Sequence, residues 1–376
     1  MDYYEGDESG GTVGYFSGDS DWWEYGQAFS VLIDHWYYCE NNTYESIIYK
    51  GLVSQLGTNN DFITKNQSAT TGNDDESFWA LVALNAYEKN FKEPSDSLSW
   101  LDVVVIVFNK LWYRWDSATC NGGIRWQINS TLSGYDYKNS ISNGNLFLLG
   151  ASLYRHTGND TYLDSAQETW NWVTSVGYVA NDSSDVLSVY DGADASDNCT
   201  NLNYAEWSYN YGTYLVGAAY LGSDLTNASD VTSEIHLSNK RKRSSNLNFD
   251  KRSDSQSYWN DITKNIWGGC ETFFNSTNSI MYERTCQGTK TCNDDERCFK
   301  SIFTRYLYMA LVLDDSLIDS IGPYLEKSAE GAAQSCSGGS DGITCGLNWF
   351  YDGWDGYYGL EEQMNALEIM ISLLAL

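Results

Sequence analysis

The stretch TGNDDESFWALVALNAYEKN, residues 71–90, decides the fold that we predict for this chain. Its apolar residues recur at intervals of three and four, which is the spacing of an α-helix. Asn73 is a good N-cap, and Glu76 three residues later completes a pattern like a capping box. Asp74 and Asp75 then fall in the first turn, where acidic groups interact favourably with the helix dipole. Helix rules alone therefore explain the two aspartates as stabilising residues.

A second explanation of the pair is chemical. Enzymes that break glycosidic bonds use two carboxyl groups, ~5–5.5 Å apart when the configuration is retained and ~6.5–9.5 Å apart when it is inverted. Adjacent helical residues point about 100° apart. Asp74 and Asp75 therefore suit this chemistry only where the start of their helix opens into a cavity. The residues themselves leave both explanations open.

The same helical spacing recurs along the rest of the chain, which has only two prolines. Gly, Asn, Asp and Ser clusters separate the predicted helices, which span about 22–36, 43–56, 74–91, 98–115, 139–156, 160–176, 204–221, 256–276, 296–313, 316–334 and 359–375. Short connections favour antiparallel neighbours, so we predict an all-α toroid of helical hairpins with a cavity at one end. Residues 119–134, TCNGGIRWQINSTLSG, predict instead a short hairpin or an irregular loop that turns at Gly122 and Gly123.

Composition limits the function classes. The chain has 376 residues, of which 42% are hydrophobic, so it can bury a large core in a single domain spanning residues 1–376. Its formal net charge of -29 argues against a nucleic-acid partner, because a phosphate backbone requires a positive surface. The 15 tryptophans and 29 tyrosines suit the apolar faces of sugar rings, although large helical cores also use them.

The cysteines and glycosylation motifs point to secretion. Cys286 with Cys292 and Cys336 with Cys345 predict short disulfide-closed loops. Zinc is the less favoured alternative, because the chain has no CxxC pair and only three histidines. Because nine is an odd number, at least one thiol stays free or pairs between molecules. Asn-x-Ser/Thr motifs occur at Asn41, Asn66, Asn129, Asn159, Asn181, Asn198, Asn227 and Asn275, and we expect a secreted glycoprotein whose leader has been removed.

Two polar segments invite other interpretations. Residues 227–257 contain six Lys and Arg residues between 240 and 252 and predict a disordered surface-loop insertion. The alternatives for this segment are dibasic protease sites or, less favoured, a nuclear signal. The run DGADASD, with Asp191, Asp194 and Asp197, suggests calcium, but its every-third spacing differs from that of an EF-hand. We expect neither a metal nor a cofactor.

Eight blocks in collinear order resemble glycoside hydrolase family 76, the endo-acting α-1,6-mannanases, in its fungal cell-wall branch. These blocks are YYEG (3–6), WWEYGQAFSVLIDHWYY (22–38), GNDDESFWALVALNAYEKN (72–90), CNGGIRWQ (120–127), KNSISNGNLFLLGASLYRHTGN (138–159), VYDG (189–192), EWSYNYGTYLVGAAYL (206–221) and GLEEQMNALE (359–368). The resemblance implies an (α/α)6 barrel and a retaining mechanism. It makes Asp74 the nucleophile and Asp75 the acid/base, which requires Asp75 to hold its proton longer than Asp74.

The remaining blocks suggest residues that bind the sugar. Candidate substrate-binding residues in or beside the matched blocks are Asn73, Trp126, Gln127, Asn143, Asp191, Glu206, Trp207, Tyr209 and Asn210, each of which has a structural role as its alternative. The chain departs from the branch at Glu76 and Glu206, where glutamine is expected. Extra acid near the site would raise pKa values or alter subsite preference. Cys39, Cys270 and Cys298 are additional to the family set.

The resemblance also implies partners and a location. The donor would be mannan or the glycan of a glycosylphosphatidylinositol anchor, the acceptor would be cell-wall glucan, and the enzyme would be a monomer at the fungal cell surface. Any contact with the membrane would be through an anchor outside this chain, because the C-terminal run MNALEIMISLLAL is too short to cross a bilayer. The alternatives are a mannan-binding wall protein with weak or no turnover and a helical scaffold whose aspartates only cap a helix.

Overall fold

The computed structural model describes residues 1–181, 185–223 and 249–376, without the side chains of 249–254. This described part contains eleven α-helices, as predicted. They are α1 (Trp22–Tyr38), α2 (Glu45–Gln55), α3 (Asn73–Glu88), α4 (Trp100–Tyr113), α5 (Ser140–Thr157), α6 (Asp160–Ser175), α7 (Ser208–Gly222), α8 (Phe249–Cys270), α9 (Asp294–Leu313), α10 (Ile318–Ser335) and α11 (Leu360–Ser372).

The odd-numbered helices form a closed inner ring. Each of α1, α3, α5, α7, α9 and α11 packs against the next, and α11 packs against α1. The even-numbered helices α2, α4, α6, α8 and α10 lie outside this ring against their sequence neighbours. This arrangement confirms the predicted (α/α)6 barrel.

Burial follows the two layers. Inner helices such as α5 and α7 are buried on nearly all sides, whereas outer α6 buries one stripe of residues. Small residues let the inner helices approach closely. A Cβ on Gly217 of α7 would lie 2.5 Å from the Phe147 ring of α5, so this contact requires glycine.

Short strands lie between the helices near one end of the ring. They are β1 (Tyr137–Asn139), β2 (Val179–Asn181), β3 (Leu187–Val189), β4 (Gly192–Asp194) and β5 (Leu202–Asn203). The first sheet has the order β1-β4-β5 and the second pairs β2 with β3, all antiparallel. Residues 119–134 form no strand and confirm the irregular-loop alternative, with positive φ at Gly122 and Gly123. The hairpin alternative was wrong, and the sheet begins just after this loop.

The disulfides agree with the sequence interpretation and add one bond. Cys286 pairs with Cys292 and Cys336 pairs with Cys345, as predicted. The zinc alternative is wrong for these four residues because each sulfur is bonded to another. A third disulfide joins Cys120 to Cys199. The thiols of Cys39, Cys270 and Cys298, the residues additional to the family set, are free.

The two polar segments, the basic insertion and the DGADASD run, lie partly or wholly within the described residues. Helix α8 begins at Phe249 rather than at about residue 256, so the end of the predicted loop insertion is helical. Residues 227–248 of that insertion lie outside the described residues. In the DGADASD run, the Asp191 carboxylate accepts from Tyr137 and the Asp197 carboxylate accepts from Asn201. Among the described residues, no helix is both long and apolar enough to cross a bilayer.

Candidate active site

The start of α3 is held by the loop that precedes β1. Gly72, not Asn73, is the N-cap. The predicted cap was wrong because Asn73 is used elsewhere: its backbone N–H donates to the Trp126 carbonyl (2.8 Å), its amide donates to the Arg125 carbonyl (2.8 Å), and its Oδ1 accepts from Arg114 (2.8 Å). These bonds fix the first turn of α3 against residues 125 and 126.

Asp75 provides the capping interaction that was assigned to Glu76. The Asp75 Oδ2 accepts from the Gly72 N–H at 2.7 Å. Glu76 is fully buried and forms an ion pair with Arg114. Its charge is therefore compensated behind the first turn and is not part of the cleft, contrary to the expectation of extra acid near the site.

Asp74 and Asp75 line a cleft of about 520 Å³ at this end of the barrel. Asp74 Oδ1 accepts from the Asp75 backbone N–H at 3.0 Å, and its Oδ2 accepts from the Asn139 side-chain amide at 3.1 Å. Neither carboxylate forms a salt bridge within 4.0 Å among the described residues. Amide N–H groups therefore orient the two carboxylates, and no cationic side chain in the described part of the chain neutralises them.

Burial raises the pKa of both carboxyls. For Asp74, burial and then the charge of Asp75 raise the pKa well above its ordinary value, against the hydrogen bond from Asn139. For Asp75, burial raises the pKa to about 6, opposed by the Gly72 N–H and assisted by Asp295 and Asp21. Each carboxyl therefore keeps its proton to a higher pH than an isolated aspartate would.

Further acid lines the same cleft. Asp21 and Asp295 belong to its lining, and the Trp23 indole donates to Asp295 Oδ1 at 2.9 Å. Burial raises the pKa of Asp295 to about 6. The described lining contains no Lys or Arg. This field opposes anionic ligands and suits neutral or cationic ones.

Aromatic rings form one side of the cleft. Trp23 stacks on Phe78 with ring centres 4.8 Å apart, Phe78 on Tyr209 at 6.4 Å, and Tyr209 on Phe299 at 3.8 Å. Trp126, 37% exposed, lies across from Gly134, where a Cβ would be 2.4 Å from the indole. Flat apolar rings beside polar acceptors are the usual lining of a sugar-binding cleft.

The small sheet places another acid in the cleft. Asp191 follows β3, and its Oδ2 accepts from the Tyr137 hydroxyl (2.6 Å) and the Asn203 amide (3.0 Å). The Trp207 side chain also hydrogen-bonds to it, and burial raises the pKa of Asp191. The disulfide Cys120–Cys199 joins the loop before β1 to the segment between β4 and β5. The sheet therefore holds Asp191 in a fixed position.

Comparison with known proteins identifies the family. The model of glycosyl hydrolase family 76 matches residues 1–232 and 251–376. This chain belongs to glycosyl hydrolase family 76. The residues 233–250 that the family model leaves unmatched lie within the predicted basic insertion.

Individual proteins of family 76 are similar to this chain over its full length. A mannan endo-1,6-alpha-mannosidase of Saccharomyces cerevisiae is 43% identical over 100% of this chain and 75% of its own length. The crystal structure of Dfg5 from Chaetomium thermophilum in complex with glucosamine superposes with a TM-score of 0.86 at 32% identity, covering 100% of this chain and 87% of that one. An inactive variant of an α-1,6-mannanase from Salegentibacter in complex with α-1,6-mannotetrose gives 0.70 at 17% identity over 99% and 95%. This chain is a glycoside hydrolase.

The structure separates the predicted site residues of this family 76 chain into two groups. Those that line the cleft are Asp74, Asp75, Trp126, Gln127, Asp191 and Tyr209. Those that lie outside its lining are Asn73, Asn143, Glu206, Trp207 and Asn210.

Most residues of the second group contact other protein residues, and the side chain of one of them has no hydrogen-bond partner among the described residues. Asn143 is fully buried and exchanges hydrogen bonds with the backbone of Ile124. Glu206 pairs with Arg284 at 3.2 Å, and Trp207 packs edge-on against Phe299. Asn210 is buried with no hydrogen-bond partner for its side chain. Asn143 and Trp207 would therefore affect a ligand through the residues that they contact.

Sequence reasoning missed Asn139. Its amide contacts Asp74, and its Oδ1 accepts from the Ser142 N–H as the N-cap of α5. The available signal was an asparagine immediately before a helical pattern, four residues before Asn143. The acids Asp21 and Asp295 were also missed, because each stands in an ordinary first-turn or pre-helix position.

Proposed function

We propose that this chain is a retaining endo-α-1,6-mannosidase that cuts α-1,6-mannose linkages of mannan or of anchor glycans, with residues 1–376 forming one catalytic domain. The observation that carries the proposal is the pair Asp74 and Asp75, held at the floor of a cleft by the amides of Asn139 and Gly72. The names of the family 76 relatives support the substrate class.

In the first step, Asp74 attacks the anomeric carbon and Asp75 gives its proton to the departing glycosidic oxygen. The bond to that oxygen breaks as a mannosyl ester of Asp74 forms. The N–H of Asp75 and the amide of Asn139 orient the Asp74 carboxylate. This positioning lowers the entropic part of the barrier.

In the second step, Asp75 takes a proton from the incoming hydroxyl, whose oxygen attacks the anomeric carbon and releases Asp74. When the hydroxyl belongs to water, the reaction is hydrolysis. When it belongs to a wall glucan, the reaction is transfer, and it links a mannosylated glycoprotein to the wall. We propose that transfer to glucan is the wall-building activity of this enzyme.

Which of the two aspartates keeps its proton longer depends on whether substrate is bound. The acid role requires Asp75 to hold its proton longer than Asp74, and in the free protein burial raises the pKa of both carboxyls. Hydrogen bonds from N–H groups favour the ionised form of each of them. Positive charge developing at the anomeric carbon beside Asp74 would lower the pKa of Asp74. We therefore assign the acid role to Asp75 in the loaded enzyme.

The cleft lining suggests how the sugar is held. Trp126 and Tyr209 offer ring faces, and Gln127 and Asp191 offer polar groups for sugar hydroxyls. Asn73, Asn143 and Trp207 hydrogen-bond to Trp126, Asn139 and Asp191 of the lining, in that order, and so support it from behind. We place the protein at the cell surface or wall, as a monomer.

The experiment is a product analysis with α-1,6-mannotetraose, with and without a β-glucan oligosaccharide, using NMR for the first-formed anomer and mass spectrometry for products. We expect the α-anomer first and mixed mannose–glucose products with the acceptor. Asp74→Asn and Asp75→Asn should each abolish turnover with the fold intact. Asp160→Asn, an acid in the first turn of α6, is the matched control for helix capping and should stay active.

Each alternative predicts a different result. Wild-type rates in either variant at position 74 or 75 would refute the catalytic pair and favour the helical scaffold. Binding of mannotetraose without turnover by the unmodified protein would favour the mannan-binding alternative. Shorter mannosides without mixed products would leave the hydrolase and refute the transfer to glucan.

A further inference from the structure

Two tryptophans of the described residues stand apart from the rest. Only Trp126 and Trp354 are exposed, each at 37%, whereas the others are buried or partly buried. Trp126 lines the cleft and rests against Gly134. Trp354 lies outside the cleft lining and rests in the same way on Gly338, where a Cβ would be 2.2 to 2.6 Å from three ring atoms. Both indoles therefore lie with one face on a glycine.

The position of Trp354 is rigid. Gly338 belongs to a loop closed by the disulfide Cys336–Cys345, and its N–H and carbonyl exchange hydrogen bonds with Thr344 (2.9 and 3.0 Å). The Trp354 indole N–H donates to the Tyr357 carbonyl at 2.6 Å. A ring that is already fixed loses little conformational entropy when a ligand stacks on it.

The chemistry around Trp354 selects a class of ligand. Tyr351 is 57% exposed and Tyr358 is 65% exposed, and we call Tyr351, Trp354 and Tyr358 the aromatic patch. The segment 336–358 contains three aspartates, Asp341, Asp352 and Asp355, and no Lys or Arg. Its negative charge opposes the binding of anions. Aromatic faces among such groups fit the apolar faces of neutral sugar rings.

The aromatic patch adjoins one end of the cleft. Arg297 pairs with Asp294 at 2.7 Å, next to Asp295 of the cleft lining, and also donates to the Tyr358 carbonyl at 3.0 Å. Ser20 of the lining hydrogen-bonds to Glu361, three residues after Tyr358. Through these contacts, the chain at and just after Tyr358 lies beside Ser20 and the start of α9 at the cleft.

We propose that the aromatic patch is a second carbohydrate-binding surface that holds the distal part of the mannan polymer whose cleaved segment occupies the cleft. The choice of mannan rests on the proposed function, whereas the neutral-polysaccharide chemistry rests on the patch itself. The surface would raise affinity for polymers without affecting short oligosaccharides that fill only the cleft.

The test is affinity gel electrophoresis of the protein through α-1,6-mannan and, separately, through β-1,3-glucan. Loss of one stacked aromatic predicts about three- to tenfold weaker retention of Trp354→Ala by mannan, with Trp354→Phe in between. Tyr113→Ala removes a side chain that is 91% exposed on α4 and is the matched control, with unchanged retention. On α-1,6-mannotetraose, Trp354→Ala should turn over like the unmodified protein.

Several outcomes overturn the proposal. Equal retention of Trp354→Ala and the unmodified protein, at equal melting temperatures, refutes the surface. Retention lost on glucan but not on mannan refutes the choice of mannan. If Trp354→Ala does not fold, the double variant of Tyr351→Ala and Tyr358→Ala carries the same test. Because retention needs no turnover, inactivity on mannotetraose would refute the proposed function and leave the binding result interpretable.

Discussion

Replacing Gly72 by alanine tests how closely the first turn of α3 is fitted to its carboxylates. Gly72 has φ −85° and ψ 170°, a conformation that alanine adopts without backbone strain. The added Cβ would lie 2.3 Å from Asp74 Oδ1 and 3.2 Å from the Trp126 carbonyl. The methyl group cannot retreat towards Trp126, so the Asp74 carboxylate has to move.

The size of this movement determines how much activity we expect to be lost. Cβ contacts under 3.0 Å are essentially never observed, so the Asp74 oxygen must shift by about 0.7 Å or more. A misplacement of about 1 Å costs on the order of 100-fold in rate, which corresponds to about 2.7 kcal/mol of barrier. We predict that kcat of Gly72→Ala falls about 100-fold while KM changes little. The free energy of unfolding should fall by no more than about 1 kcal/mol, because the Gly72 N–H still reaches Asp75.

The assay is the initial rate of mannotetraose cleavage, with thermal melting of the same samples. Gly322→Ala in α10 is the control, because its Cβ would approach only Ile318, at 4.0 Å, and it should keep full activity. A kcat for Gly72→Ala within threefold of the unmodified protein would show that Asp74 is not held where the reaction occurs, and the argument from geometry would fail.

Three further predictions concern the same end of the barrel. Asn139→Ser keeps an N-cap oxygen but loses the amide donor to Asp74, so kcat should fall about tenfold; unchanged single-turnover rates would contradict this. Burial raises the folded-state pKa of Asp75 to about 6, above ~3.9 when unfolded, so stability falls as the pH rises through this window. The gain in melting temperature of Asp75→Asn should then be larger at pH 7 than at pH 4, and an equal gain would refute it. Lys138 is fully buried and donates to three carbonyls within residues 116–122. Lys138→Met should therefore lower the free energy of unfolding, measured in urea, by about 3 kcal/mol. A loss below about 1 kcal/mol would show that these three hydrogen bonds do not stabilise the loop.

The helices were predictable because each carries its own signals. Asn159 begins α6 with a side-chain cap to Thr161, and Asn293 begins α9 with a capping box to Glu296. Such signals lie within four residues of one another, so one sequence is enough to find them. The start of α3 was misplaced by one residue because Asn73 bonds to Arg125 and Trp126 instead.

Features that depend on contacts between residues far apart in the sequence were not predictable. The strands are only two or three residues long, which is too short for an alternating pattern. Cys120 and Cys199 are 79 residues apart, and nothing in their neighbourhoods pairs them. Asn139 rather than Asn143 reaches Asp74 because β1 passes beside α3, whereas one helical turn later Asn143 faces Ile124. Spacing cannot distinguish these two asparagines, because it does not tell which element lies opposite.

The two explanations of the aspartate pair turn out to be compatible. Asp75 does cap α3, through the Gly72 N–H, and this same bond opposes the rise of its pKa in a cleft crowded with carboxyls. Asp74 gains an N–H from the same first turn. A helix start supplies free N–H groups, and burial at the mouth of the barrel raises the affinity of both carboxyls for a proton. The position that stabilises a helix is thus also one that can orient two adjacent carboxyls for acid–base chemistry, so capping alone is no argument against catalysis.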